Sequence, residues 1–245
     1  MFEFRIITVD RAHVRKRKGL PEYKGTQWLS VTINSILASD IPLDRVTIYN
    51  DNLNYEYGEQ SIEHTSVLNM AQSHGIRVVQ NKGGGFNENS METLRDPIRF
   101  NDTTHIVFFE DDINVYKNIY KDGLAWVNSI PDLKFGLFFS RLNSETVDPQ
   151  HFECAQAVVF NIDVIDELTF ACSNYEEVVC KPNNISDNTG NMFDSKLGIC
   201  IKHIFKVPLY NCTPSLVQHV GSLESSWVLP DHVHGGDRST QYFKK

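Results

Sequence analysis

The chain has 245 residues, 41% hydrophobic and 22% charged, with 23 basic and 31 acidic side chains and a formal net charge of −8. That length suits one sizeable α/β domain, and the acidic balance excludes broad, sequence-independent attraction to nucleic acid. The five cysteines (Cys154, Cys172, Cys180, Cys200 and Cys212) are odd in number and form no C-x-x-C pair, which excludes a zinc ribbon or disulfide framework and fits reduced thiols in a cytoplasmic setting.

The N-terminal MFEFRIITVDRAHVRKRK does not read as a secretion signal, and no apolar run is long enough to be a transmembrane segment. Residues 4–9 (FRIITV) predict a short buried strand. A polar, basic stretch to Thr26 follows, with Arg11 and then Arg15-Lys16-Arg17-Lys18. Trp28, Leu29, Ile33, Ile36 and Leu37 recur at helical spacing in a helix ending near Pro42. Residues 46–49 predict a second strand, 61–74 a helix stopped by Gly75, and 76–79 a third strand running into a flexible Gly83-Gly84-Gly85 turn. A helix over 90–95 precedes residues 105–109 (HIVFF), which form the clearest strand and end abruptly in Glu110-Asp111-Asp112.

The second half is less regular. Strands are predicted over 135–139, 155–161 and 206–210, a short helix over 163–168 and a longer one over 191–203, where Phe193, Leu197 and Ile201 stand four apart. Residues 171–190 read as polar and irregular, and the tail from Ser225 as a loop rich in Gly, Ser, His and charge.

Alternating strands and helices in the first half imply parallel crossovers. In such sheets ligands bind beyond the carboxyl ends of the strands. Those ends carry Thr8, Asp10 and Arg11, then Asp51, then Asn81 and Lys82, then the acidic triplet. Three adjacent carboxylates repel one another unless a cation sits among them. They form either a solvated acidic loop or part of a Mg²⁺ or Mn²⁺ site, whose remaining positions water and phosphate oxygens fill. The glycine triplet lacks the Lys-Ser/Thr of a phosphate-binding loop.

The first half ending in Glu110-Asp111-Asp112, together with Pro214-Ser215-Leu216-Val217-Gln218-His219-Val220-Gly221 about 100 residues later, resembles the GT-A nucleotide-sugar glycosyltransferases. The resemblance runs over residues 4–222. It implies a single α/β domain with a Rossmann-like, mixed but mostly parallel sheet flanked by helices. It divides the chain into a nucleotide-sugar-binding half (1–112), an acceptor-binding and catalytic half (113–224) and a tail (225–245). It further implies a UDP-sugar donor, Mn²⁺ or Mg²⁺ held by Asp112 and His219, support from Glu110 and Asp111, and donor contacts from Thr8, Asp10, Arg11, Asp51 and Lys82. The segment around Ala155-Gln156-Ala157 resembles one that lines the sugar pocket.

An inverting enzyme needs a carboxylate base. Asp194, opening the 191–203 helix, is the first choice and Asp187 the second. His232 and His234 are rival metal ligands. The acceptor is expected to be a glycan or a hydroxymethylated base in DNA, the latter held through the 11–18 basic segment and extruded from the duplex. No obligate protein partner is implied. The alternatives are a nucleotidyltransferase and an inactive nucleotide-sugar-binding domain.

Overall fold

The computed structural model describes residues 1–10, 27–51, 60–81, 84–139, 144–149, 152, 156–186 and 193–220. In chain order these form strands β1 (Phe2–Val9), β2 (Val46–Asp51), β3 (Arg77–Asn81), β4 (His105–Phe109), β5 (Ile113–Val115), β6 (Phe135–Leu137), β7 (Thr146–Val147), β8 (Ala157–Asn161), β9 (Leu209–Asn211) and β10 (Val217–His219). The longer helices are α1 (Trp28–Leu37), α2 (Ile62–Ser73), α3 (Phe86–Arg95), α4 (Ile119–Ser129), α5 (Ile165–Ser173) and α6 (Phe193–Cys200).

Eight strands make one sheet in the order β3-β2-β1-β4-β8-β6-β9-β7. The β3-β2-β1-β4 half is parallel throughout, and β8 turns the sheet antiparallel against β4. This is the expected mixed, mostly parallel sheet, and it runs unbroken through both halves of the chain.

Both faces of the sheet are covered, which is why its central strands read as unbroken apolar runs. On β4, Val107 and Phe109 enter a core shared with α1, α2 and α4, while Ile106 and Phe108 enter a second core with α3, α5 and α6. Phe108, Phe109, Phe2 and Phe4 are all fully buried, at about 1.5–3 kcal/mol of transfer free energy each.

Several elements depart from the sequence-based expectation. The helix expected at 90–95 starts at Phe86, because Gly85 takes φ 83 and turns the chain into it. The first helix stops at Leu37, well short of Pro42, and a 3₁₀ turn over Leu43–Arg45 fills the interval. Of the 171–190 stretch, the described residues 171–186 are largely helical: α5 runs to Ser173, a π turn follows over Glu176–Cys180, and helix resumes over Lys181–Asn183. Its buried Cys172, Tyr175, Val179 and Cys180 give that segment an apolar face too sparse to stand out among its charges. The strand expected at 206–210 lies at Leu209–Asn211, since Lys206 adopts a left-handed φ of 52 that ends the preceding turn. Strands β5 and β10 carry no strand signal of their own. Each is three residues long, and they exist by pairing with each other, His219 opposite Ile113 and Val217 opposite Val115.

Cys172, Cys180, Cys200 and Cys212 are free and buried, and Cys154 lies outside the described residues. No helix among the described residues is long and apolar enough to cross a membrane.

Candidate active site

The carboxyl ends of β1, β2 and β4 lie side by side, and each delivers a buried acid. Asp10, Asp51, Asp111 and Asp112 are all under 7% exposed (3, 2, 6 and 3%). Concentrating this many carboxylates where water is scarce is costly unless each finds hydrogen bonds or a cation.

Asp112 and His219 come together. Asp112 Oδ2 lies 3.3 Å from His219 Nε2, and both side chains are nearly buried. The β5–β10 ribbon makes this approach: after His219, the Val220 amide donates to the Asp112 carbonyl at 2.9 Å. The ring of Phe139 lies against the imidazole, centroids 6.2 Å apart.

Two neighbouring donors on an octahedral ion with bonds of about 2.0–2.1 Å sit about 3 Å apart, so this spacing fits a shared Mg²⁺ or Mn²⁺. Among the described residues no group of three His, Cys, Asp or Glu side chains converges as a closed cage. A site with two protein ligands is the kind that leaves room for waters and phosphate oxygens. His232 and His234 lie outside the described residues.

The other two acids of the triplet differ. Asp111 Oδ2 accepts from the Thr8 hydroxyl at 2.6 Å, so Thr8 and Asp111 form one unit. Glu110 is half-buried, and its amide donates to the Gln156 carbonyl at 3.1 Å, placing Gln156 beside the triplet. Gln156 is itself buried, with Oε1 unpartnered among the described residues.

Helix α1 supplies two residues that the sequence did not mark as functional. The Thr32 hydroxyl lies 2.8 Å from both the Asp111 and Ile113 carbonyls and accepts from the Ile113 amide at 3.0 Å. One turn on, Ser35 Oγ accepts from the Val115 amide at 3.1 Å. The signal available was a polar residue, Thr32, within the apolar stripe of Leu29, Ile33 and Ile36.

At β2, Asp51 accepts from the amides of Gly84 and Gly85, while its Oδ1 is buried without a partner among the described residues. Burial raises its pKa above the usual carboxylate value, the two amides pull it down, and Glu92 and Glu88 push it up again. The glycines read from sequence as a flexible turn thus have a defined task. A Cβ on Gly84 would collide with Glu88, and Gly85 holds a positive φ. A polar lattice flanks this end: His64 Nε2 lies 2.8 Å from Asn50 Oδ1, Asn50 donates to Gln80 at 2.7 Å, and Asn81 donates to Asn89 at 2.6 Å.

Asp10 has a partner within the fold. Its Oδ2 accepts from the Ser61 amide at 2.6 Å, just before α2. Asp194 is half-buried in the first turn of α6. That turn is tied to α3, where Asn87 Oδ1 accepts from the Phe193 amide at 3.1 Å and Phe86 packs on Phe193. Arg11, Lys82, Asp187, Ala155 and the 11–18 basic segment lie outside the described residues.

No protein-family model matches the sequence, and no curated protein matches it. The fold does have solved counterparts. TarS of S. aureus superposes on 91% of this chain with a TM-score of 0.53 at 12% identity, over 37% of its own length. Its fragment 1–349 superposes on 91% with a TM-score of 0.52 at 11% identity, over 60% of the fragment. The same fragment in complex with UDP covers 88% of this chain and 59% of its own, with a TM-score of 0.50 at 12% identity. The chain therefore spans between 37% and 60% of the TarS chains it resembles. The likeness is one of fold: the chain has a GT-A-type fold, a mixed, mostly parallel sheet flanked by helices.

Proposed function

We propose that this chain is a metal-dependent glycosyltransferase that moves a sugar from a UDP-sugar onto an acceptor hydroxyl. The observation that carries the reading is the meeting of Asp112 and His219, 3.3 Å apart, at the carboxyl edge of a parallel sheet. Residues 107 positions apart in the chain have no local reason to meet there, and the pair is a suitable ligand set for Mn²⁺ or Mg²⁺. Asp112 and His219 would hold the cation, which would supply charge neutralisation to the diphosphate leaving group.

The protein's own groups take the remaining roles. Asp51 offers a buried carboxylate oxygen to an N–H of the base or an O–H of the ribose. Thr8 holds Asp111 in one orientation, so that its carboxylate and that of Glu110 face the ribose or the sugar. Gln156 lies where the sugar would reach the end of β4, and Arg11 and Lys82 follow strand ends that face the diphosphate. Asp10, which accepts from the Ser61 amide at the α2 entrance, contributes its carboxylate to the donor as well.

Asp194 acts as base. It takes the acceptor hydroxyl proton as the new bond from acceptor oxygen to the anomeric carbon forms and the bond from that carbon to the phosphate oxygen breaks, and the nucleoside diphosphate departs with the bonding pair. In a retaining reaction no such base is needed, and Asp194 instead binds acceptor or sugar. UDP is the first nucleotide to test because a structural counterpart was crystallised with it.

The test is a thermal-shift panel of UDP-, GDP-, CMP- and dTDP-sugars with and without Mn²⁺, on the wild type and Asp112→Asn. A ligand at 100 times its dissociation constant stabilises the fold by about 2.7 kcal/mol. A Mn²⁺-dependent shift with one nucleotide-sugar that is absent in Asp112→Asn supports the reading. Absence of any shift in folded protein overturns the donor site and favours a nucleotidyltransferase or an inactive binding domain. A glycan panel that includes hydroxymethylated DNA then identifies the acceptor.

A further inference from the structure

We propose that Thr32 is the positioning residue of the Asp112–His219 pair, its hydroxyl fixing the acidic loop in the register that metal binding needs. The inference rests on the reading above. It starts from the shortness of β5, three residues that must hold their shape immediately after the acidic triplet.

One edge of β5 pairs with β10, the strand that carries His219. The other edge faces α1, where no strand is available, and two hydroxyls stand in for one. The Thr32 hydroxyl accepts from the Ile113 amide at 3.0 Å and directs its single proton to the carbonyl of Asp111 or Ile113, each 2.8 Å away. Ser35, one turn later on the same helix face, accepts from the Val115 amide at 3.1 Å and sends its own proton back to the Thr32 carbonyl at 2.8 Å. Thr32 is fully buried, so no water substitutes for it.

The consequence falls on Asp112. The residue before it, Asp111, is held by Thr8 at its carboxylate and by Thr32 at its carbonyl in one of the two settings of the Thr32 proton. The residue after it, Ile113, is held by Thr32 at its amide, and at its carbonyl in the other setting of the proton. The carbonyl of Asp112 itself accepts from Val220, next to His219. The hydroxyl of Thr32 therefore fixes the backbone on both sides of the ligand without touching a substrate, while β10 fixes the partner. Remove that hydroxyl and β5 keeps the edge that brings His219 but loses the one that sets where the Asp112 carboxylate points.

Mn²⁺ binding is read directly from the hexaaqua-Mn²⁺ paramagnetic resonance signal, with and without UDP, in wild type, Asp112→Asn, Thr32→Val and Thr32→Ser. Thr32→Val is expected to weaken Mn²⁺ binding about 10- to 100-fold, as for other residues that orient a metal ligand, and Thr32→Ser to stay within about threefold of wild type. Leu68→Ala, in the core beneath α2, provides a variant of lowered melting temperature whose Mn²⁺ affinity is expected to be unchanged.

Equal Mn²⁺ affinity in wild type and Thr32→Val overturns the role of Thr32 and leaves the site reading intact. A wild type that binds no Mn²⁺ overturns the site reading and this inference with it. Should Thr32→Val not fold, amide hydrogen exchange in the wild type reads the bond itself. Slow exchange at Ile113 is expected, and exchange at the rate of an exposed amide overturns the proposal.

Discussion

At the amino end of the sheet, Glu3 and Arg5 are buried to 2% and 1%, yet both Glu3 oxygens are used. Oε1 accepts from the Arg99 and Phe100 amides and the Thr103 hydroxyl, and Oε2 from Arg5. Arg5 also donates to the carbonyls of Thr93, Leu94 and Pro97 at the end of α3. At the carboxyl end, Asp51 is just as buried, but one of its oxygens has no partner among the described residues, and Asp112 faces a histidine that it could share with a cation. Buried charge by itself therefore does not mark the site. Where the fold answers the charge completely, the group is structural; on the function proposed above, the remaining Asp51 oxygen is answered by a ligand.

The sharpest way to break this contrast is Asp112→Asn. On the proposed function, losing a ligand of the cation that would stabilise several kcal/mol of developing charge predicts a fall of about 10³-fold or more in kcat/KM, with melting temperature little changed, measured by steady-state assay and thermal unfolding. The opposite pattern is expected for Arg5→Met, which leaves Glu3 as a buried carboxylate without its cation. Denaturant unfolding should show a loss of about 3–5 kcal/mol, with UDP affinity of the folded protein retained. A large loss of UDP affinity in Arg5→Met would dissolve the distinction between the two ends.

Asp51 tests the contrast through pH. Burial raises its pKa in the folded state, so its effect on stability is favourable in acid, below the unfolded value, and is lost as pH rises through the folded value. Keeping it ionised at neutral pH thus opposes folding. Asp51→Asn should melt higher than wild type at pH 7, and the two curves should converge on acidification toward about pH 4, the unfolded value. UDP affinity should fall about tenfold or more with the loss of a charge-assisted hydrogen bond.

The smallest effect sharpens the assignment of Asp10, which borders both roles. Ser61 caps α2 by accepting from the His64 amide at 3.3 Å, while its own amide goes to Asp10. Ser61→Ala should cost about 1 kcal/mol in chemical unfolding and leave UDP affinity unchanged. A drop in affinity would show that the α2 entrance and Asp10 act as one unit in binding.

Much of this was legible in the sequence, for reasons that differ between the halves. The strands of the first half are buried on both faces, and runs such as HIVFF announce themselves without knowledge of their partners. The acidic triplet is legible because three carboxylates at the end of an apolar strand are chemically conspicuous, and the resemblance their segments carry singles out Asp112 and His219, which the fold brings to 3.3 Å. Thr32 and Ser35 were not, since a hydroxyl on a helix looks the same whether it faces solvent, its own backbone or a strand 80 residues away. Gly84 and Gly85 read as mere flexibility because the carboxylate that their amides serve, Asp51, belongs to another strand.

What the sequence determined by itself, then, is the part set by local pattern: the period of the hydrophobic residues, the order of strands and helices, the chemistry waiting at each strand end. What only the tertiary structure decided is which of those groups meet. Strands β5 and β10 are too short to persist alone and form only when hydrogen bonds from each other and from α1 replace those to water. The distance from Asp112 to His219 is a product of that mutual pairing. No local stretch of sequence encodes it, because the free energy that holds it is shared among segments that are neighbours only after folding.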